Sequence, residues 1–244
     1  MNNLPNQFFY SKKEDRLNVL SHGIGFILSI IGLVFLLKKG LQDFDITRFS
    51  SFLIYGLSLS LMYIASTLYH NSKTPKGRYR LRLFDMISIY LLIAGSYTPF
   101  TLTVLLDNGG LTLFILVWVI AIFGIIWKIF TVGKYNLVST ILYMFMGGLW
   151  LFFIDAFISE IPENALVWIY ASCLTYLIGV FFYLADSKVK YNHFIWHIFV
   201  MLASAFHYLS LIHISEPTRL LSIGDGVWWL DKKGGGGGGG GGGG

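Results

Sequence analysis

The sequence predicts an all-α membrane protein, a bundle of seven transmembrane helices, and three observations predict it. Of 244 residues, 55% are hydrophobic and only 13% charged, whereas a soluble domain carries about a quarter charged residues. The mean hydropathy is +0.65. Seven apolar segments of about the 20 residues needed to cross a bilayer run at roughly 18–37, 51–70, 84–106, 111–131, 137–157, 165–185 and 193–213. Helices are forced, because an open sheet edge leaves backbone groups unsatisfied in lipid. The connections are short, so neighbouring helices run antiparallel within one domain.

Residues 1–17 are polar and precede an apolar run too long for a signal peptide, so they read as a cytoplasmic segment. The basic residues set the orientation of the seven spans. Lys12, Lys13 and Arg16 precede the first span. Lys73, Lys76, Arg78, Arg80 and Arg82 fill the second connection, Lys128 and Lys134 flank the fourth, and Lys188 and Lys190 lie in the sixth. The first connection has three (Lys38, Lys39, Arg48), and the third and fifth have none. The N-terminus is therefore expected inside and the C-terminus outside. The formal net charge of +5 is this orientation signal and does not argue for nucleic acid. Cys173, the single cysteine, allows no intramolecular disulfide and reads as a buried, inert thiol.

Gly23, Gly25 and Gly32 in the first span, Gly56 in the second, and Gly147 and Gly148 in the fifth read as sites of close helix packing. Pro99, in Ala94-Gly-Ser-Tyr-Thr-Pro-Phe100, is expected to kink the third span and free a carbonyl. The seven-helix domain is placed at 18–211. Residues 212–244 read as a non-native tail. They contain a string, His213-Ile-Ser-Glu-Pro-Thr-Arg219, that looks like translated adapter DNA, and they end in a run of glycines from 234 to 244 that cannot form a packed element.

Ionisable groups inside a membrane are expensive and usually mark function. The orientation places them by depth. His70 ends the second span, with Ser66 one turn earlier. Asp85 opens the third. His193 and His197, at i and i+4 on one helical face, open the seventh. All five fall at one level near the cytoplasmic face. Three imidazoles beside a carboxylate suit zinc, which takes nitrogen ligands and in catalytic sites commonly keeps three protein ligands plus water. The metal ligands are then His70, His193 and His197. Asp85 would act as general base and Ser66 would bind the water or a substrate carbonyl. Alone, the His-x-x-x-His spacing is weak and lacks the glutamate of soluble metalloproteases, since Phe194 stands there. Asp85 has a competing reading as an ion-pair partner of Arg80 or Arg82. His22 packs behind the ligands or sits at the interface. His207 lies about 15 Å further along its helix, too far for the same ion, and reads as a hydrogen-bonded bundle residue or part of a polar path.

Ser66-Thr-Leu-Tyr-His70, Phe84-Asp85, Ala94–Phe100 and His193-Phe-Ile-Trp-His197 with His207-Tyr208 together resemble the haemolysin III family, the bacterial branch of the progestin and adipoQ receptor superfamily, over about residues 8–211. The resemblance implies seven helices, an inward N-terminus and zinc on His70, His193 and His197, with Ser66 and Asp85 beside the bound water. It further implies either a ceramidase-like hydrolase of lipid amides or a non-enzymatic protein: a haemolytic pore, or a regulator of membrane fluidity with a structural zinc. Membrane lipids are the expected partners. Reporters fused after Lys76 should report from the cytoplasm and after Gly110 from outside. The reverse pattern would overturn the orientation.

Overall fold

The computed structural model describes residues 10–42, 44–186 and 189–215. Among these, every regular element is helical: α1 (Lys12–Gln42), α2 (Ile46–Asn71), α3 (Pro75–Pro99), α4 (Leu111–Phe130), α5 (Asn136–Gly147), α6 (Ile154–Glu160), α7 (Glu163–Leu184) and α8 (Asn192–Ile214). They make seven spans long and apolar enough to cross a membrane, the fifth being α5 and α6 together. Along the chain α1 packs on α2, α2 on α3 and α3 on α4; α7 packs on α8, which returns to α1.

The helix ends follow local chemistry. Asp45 caps α2 by accepting from the Arg48 N–H at 2.9 Å. Thr74 caps α3 from Gly77 at 3.2 Å, with Pro75 at the first helical position, where a missing N–H costs nothing. The turn before α4 needs Gly109, at φ 84°, a conformation most residues avoid.

The spans are inverted relative to a soluble helix. On α1, Leu20, Ile24, Ile27, Ile31 and Phe35 are exposed, while Asn18, Ser21, His22 and Ser29 are buried. Such a helix is comfortable only where its outer face meets lipid. Close packing explains part of the glycine pattern. A Cβ on Gly25 would stand 2.7 Å from the Tyr63 ring, and one on Gly32 would stand 2.9 Å from Tyr208. At Gly56 it would collide with the Leu33 side chain.

Gly147 and Gly148 depart from that expectation. A Cβ on Gly147 would meet nothing within 4 Å, and on Gly148 only ordinary contacts. The helix breaks there instead, continuing as a 3-10 turn over Leu149–Phe153. The Tyr97 hydroxyl lies 2.9 Å from both the Met146 and Gly147 carbonyls and accepts from the Trp150 N–H at 3.3 Å. The glycines thus mark a break that a phenol satisfies. Pro99 ends α3, and the chain continues as a π-turn over Phe100–Val104. The Ser96 carbonyl in this stretch accepts from His207 Nε2 at 3.2 Å.

Three other boundaries shift. The polar segment 1–17 is helical from Lys12, because Glu14 and Asp15 find partners in the bundle. Arg78, expected in a connection, lies within α3 and is 1% exposed. The last helix, Asn192–Ile214, exceeds the expected seventh span by one residue at each end. The tail from 216 onward lies outside the described residues. Tyr97→Phe should lower stability by about 1–3 kcal/mol, the cost of unsatisfied buried backbone groups, as read by thermal unfolding in detergent. Unchanged unfolding would show that the phenol does not hold the break.

Candidate metal centre

The end of α2 and the start of α8 meet at one end of the bundle, and there His70, His193 and His197 converge. Each offers a ring nitrogen, all within 4.8 Å of one another, and all three residues are buried. The helical period puts His193 and His197 on one face of α8. His70 faces them from the last turn of α2, with its Nε2 3.2 Å from Nε2 of His193.

The opposite nitrogens are occupied. Asp15 Oδ1 accepts from His70 Nδ1 at 3.1 Å. That carboxylate is gripped by Arg78, whose two terminal nitrogens stand 2.7 and 3.0 Å from its oxygens, so it is ionised and can only accept. Asp186 Oδ2 lies 3.2 Å from His193 Nδ1, and the Tyr10 hydroxyl lies 3.0 Å from the same nitrogen. Tyr10 donates to Asp186 at 2.6 Å. Burial pushes the Asp186 carboxyl up, but the hydrogen bonds with His193 and Tyr10 outweigh it and hold the group below its ordinary range. Burial and the neighbouring Asp186 charge raise the Tyr10 phenol well above its ordinary value, so it remains a donor. Ser21 spends its hydrogen on the Asn18 carbonyl at 3.0 Å, and its oxygen accepts from His197 Nδ1 at 3.3 Å. Acceptors thus stand behind the Nδ1 of each ring, an arrangement that favours the proton there and leaves Nε2 of His70 and His193 to face one another.

Two lone pairs 3.2 Å apart repel unless a cation lies between them. The donor set fits a metal ion by this test: three buried imidazoles within 4.8 Å of one another, with groups placed behind each ring to orient it.

Ser66 is buried beside this cluster and within hydrogen-bonding reach of Asp85. Among the described residues, Asp85 makes no direct bond to the three histidines; Asp15 and Asp186 take those places. His22 packs behind the ligand candidates. It is 3% exposed and stacks on His197 with ring centroids 3.6 Å apart and planes 8° from parallel. His207 lies between Tyr55 and Phe100, at 5.3 and 5.5 Å, away from the cluster.

Sequence reasoning missed Tyr10, Asp15, Asn18, Ser21, Arg78 and Asp186. A signal existed for part of the set. Asp15, Asn18, Ser21 and His22 recur at the spacing of one helical face, although the first of them fell in a segment read as a polar cytoplasmic stretch.

Comparison with known proteins gives the family. Residues 10–208 match the family described as Haemolysin-III related. Hemolysin-3 of Bacillus cereus is 37% identical over 206 residues, covering 84% of this chain and 94% of that protein. The Hemolysin-3 homolog of Bacillus subtilis (strain 168) is 37% identical over 196 residues, 80% and 92% of the two chains. More distantly, the monocyte to macrophage differentiation factor of Homo sapiens is 28% identical over 207 residues, 81% of this chain and 83% of that one. With seven membrane-spanning helices and a match over nearly all of them, the chain belongs to the haemolysin III family.

Proposed function

We propose that this protein is a zinc-dependent hydrolase of lipid amides, working within the membrane near its cytoplasmic face. The observation that supports a metal is the convergence of ring nitrogens of His70, His193 and His197 within 4.8 Å, two of them 3.2 Å apart. Imidazole donors suit zinc among several transition metals, and zinc is the one that supplies hydrolytic chemistry without redox. Three protein ligands leave a position open, which suits a catalytic rather than a purely structural ion.

When bound, zinc supplies Lewis-acid polarisation of a carbonyl and a water of lowered pKa. The chain's own contribution is the Ser66–Asp85 pair. Because Asp15 and Asp186 already hold the histidines, Asp85 is left free to take a proton as a general base. Ser66, one turn before His70, donates its one hydroxyl proton to orient that carboxylate, or turns it to a substrate oxygen once Asp85 has taken a proton. The lipid-facing helices supply an amphiphile with its acyl chain already in an apolar phase.

The Bacillus relatives are named as haemolysins, and a pore is the competing reading for this chain. A pore needs a continuous polar lumen. Instead, the fully buried side chains include Phe52, Tyr55, Tyr90, Leu36, Leu113 and Leu149, and the metal-ligand candidates gather at one end. These observations support a site over a channel.

Purified protein should carry one zinc per chain and release fatty acid from ceramide-like substrates. His70→Ala, His193→Ala and His197→Ala should each lose the metal. Asp85→Ala should keep it while turnover falls about 100-fold or more. Turnover unchanged in His197→Ala or Asp85→Ala would sink the hydrolase. Stoichiometric zinc without turnover would leave a structural ion, and steady current across planar bilayers would favour the pore.

A further inference from the structure

We infer that Asp15 and Asp186 are positioning residues of the metal centre, so that α1 and the connection between α7 and α8, which supply no ligand, set how tightly the ion is held. This inference rests on the metal reading above and deepens it.

The two carboxylates reach the site from opposite ends of the chain and do the same job. Asp15 meets His70 Nδ1 at 3.1 Å and Asp186 meets His193 Nδ1 at 3.2 Å. An ionised carboxylate behind an imidazole fixes the ring's tautomer and orientation and raises the basicity of the far nitrogen. Each carboxylate is itself immobilised. Arg78 holds Asp15 with two charge-assisted bonds, and the same guanidinium donates to the His70 and Ser72 carbonyls at 3.4 and 3.3 Å. Asp15 is thereby locked to the turn of α2 that carries the histidine. Tyr10 holds Asp186 at 2.6 Å, and its ring lies against His193 and His70 at centroid distances of 4.7 and 5.5 Å.

The backbone brings the two segments together. Glu14 Oε1 accepts from the Tyr191 N–H at 3.1 Å, pinning the first turn of α1 to the residues just before α8. The third ligand is treated differently. Among the described residues, His197 Nδ1 meets the Ser21 oxygen at 3.3 Å, the Asn18 backbone carbonyl acts on the same ring, and His22 covers its face; all are neutral groups. A neutral partner fixes the ring but adds little charge, so the three supports should be graded, with the two carboxylates dominant.

A purely structural ion pair would affect folding but not the ion. The test therefore measures metal affinity on the full chain purified in detergent, stripped and reloaded with Zn²⁺ against a chromophoric chelator, and records the visible absorption of the Co²⁺-loaded protein. Asp15→Asn and Asp186→Asn should each weaken Zn²⁺ binding about 10- to 100-fold and shift the Co²⁺ bands. Tyr10→Phe and Ser21→Ala should have smaller effects in the same direction, and Asp186→Glu should recover part of the loss. Asp155→Asn, on an exposed carboxylate in α6, serves as the control and should bind like the parent. Because Asp15→Asn also breaks the pair with Arg78, Asp186→Asn decides the matter if the former fails to fold. Parent-like affinity and spectra in Asp186→Asn would overturn this inference and leave the metal reading standing. A parent protein that binds no metal would overturn both.

Discussion

Two imidazole nitrogens face one another across 3.2 Å at one end of a membrane bundle, and the far nitrogen of each ring faces a carboxylate that favours its proton there. Much of the surrounding structure depends on that contact. Neutral rings in this arrangement present lone pair to lone pair, which a low-dielectric surrounding makes worse rather than better. A cation at the shared point turns the repulsion into ligation. The burial of three histidines, otherwise a cost inside a bilayer, then has a physical reason.

The cost of this centre is spread over elements that contribute no ligand. α1 turns its polar residues inward and its apolar residues to lipid, the reverse of a soluble amphipathic helix. Its inward stripe holds two of the three rings, through Asp15 on His70 and through Ser21 and His22 on His197. The bundle is tightest where it must hold these groups in register, with Gly25 and Gly56 letting α1 and α2 approach side chain to backbone. Further along the bundle, the structure tolerates a broken helix in the fifth span, because Tyr97 satisfies the freed backbone.

The fold was legible in the sequence because the bilayer imposes one length and one secondary structure on every span. The convergence of His70, His193 and His197 was legible for a similar reason, since counting basic residues in the connections ordered the helix ends by depth. The groups behind the ligands were not legible. Asp15 and His70 are 55 positions apart, and Tyr10 and His193 are 183 apart. Neither Asp15 nor Tyr10 stands in an apolar run that would mark it as buried. Arg78 looked like an orientation charge and turns out to be the grip on Asp15. Gly147 and Gly148 looked like packing residues, since composition cannot distinguish a close approach from a break. The stack of His22 on His197 could be read only once the packing of α1 against α8 was known.

The most direct test of the centre is X-ray absorption at the zinc edge on the purified protein in detergent. The account predicts three imidazole nitrogens at about 2.0–2.1 Å with one oxygen donor and no sulfur, and the loss of this signal in His70→Ala. A shell containing sulfur, or an intact three-imidazole shell in His70→Ala, would contradict it.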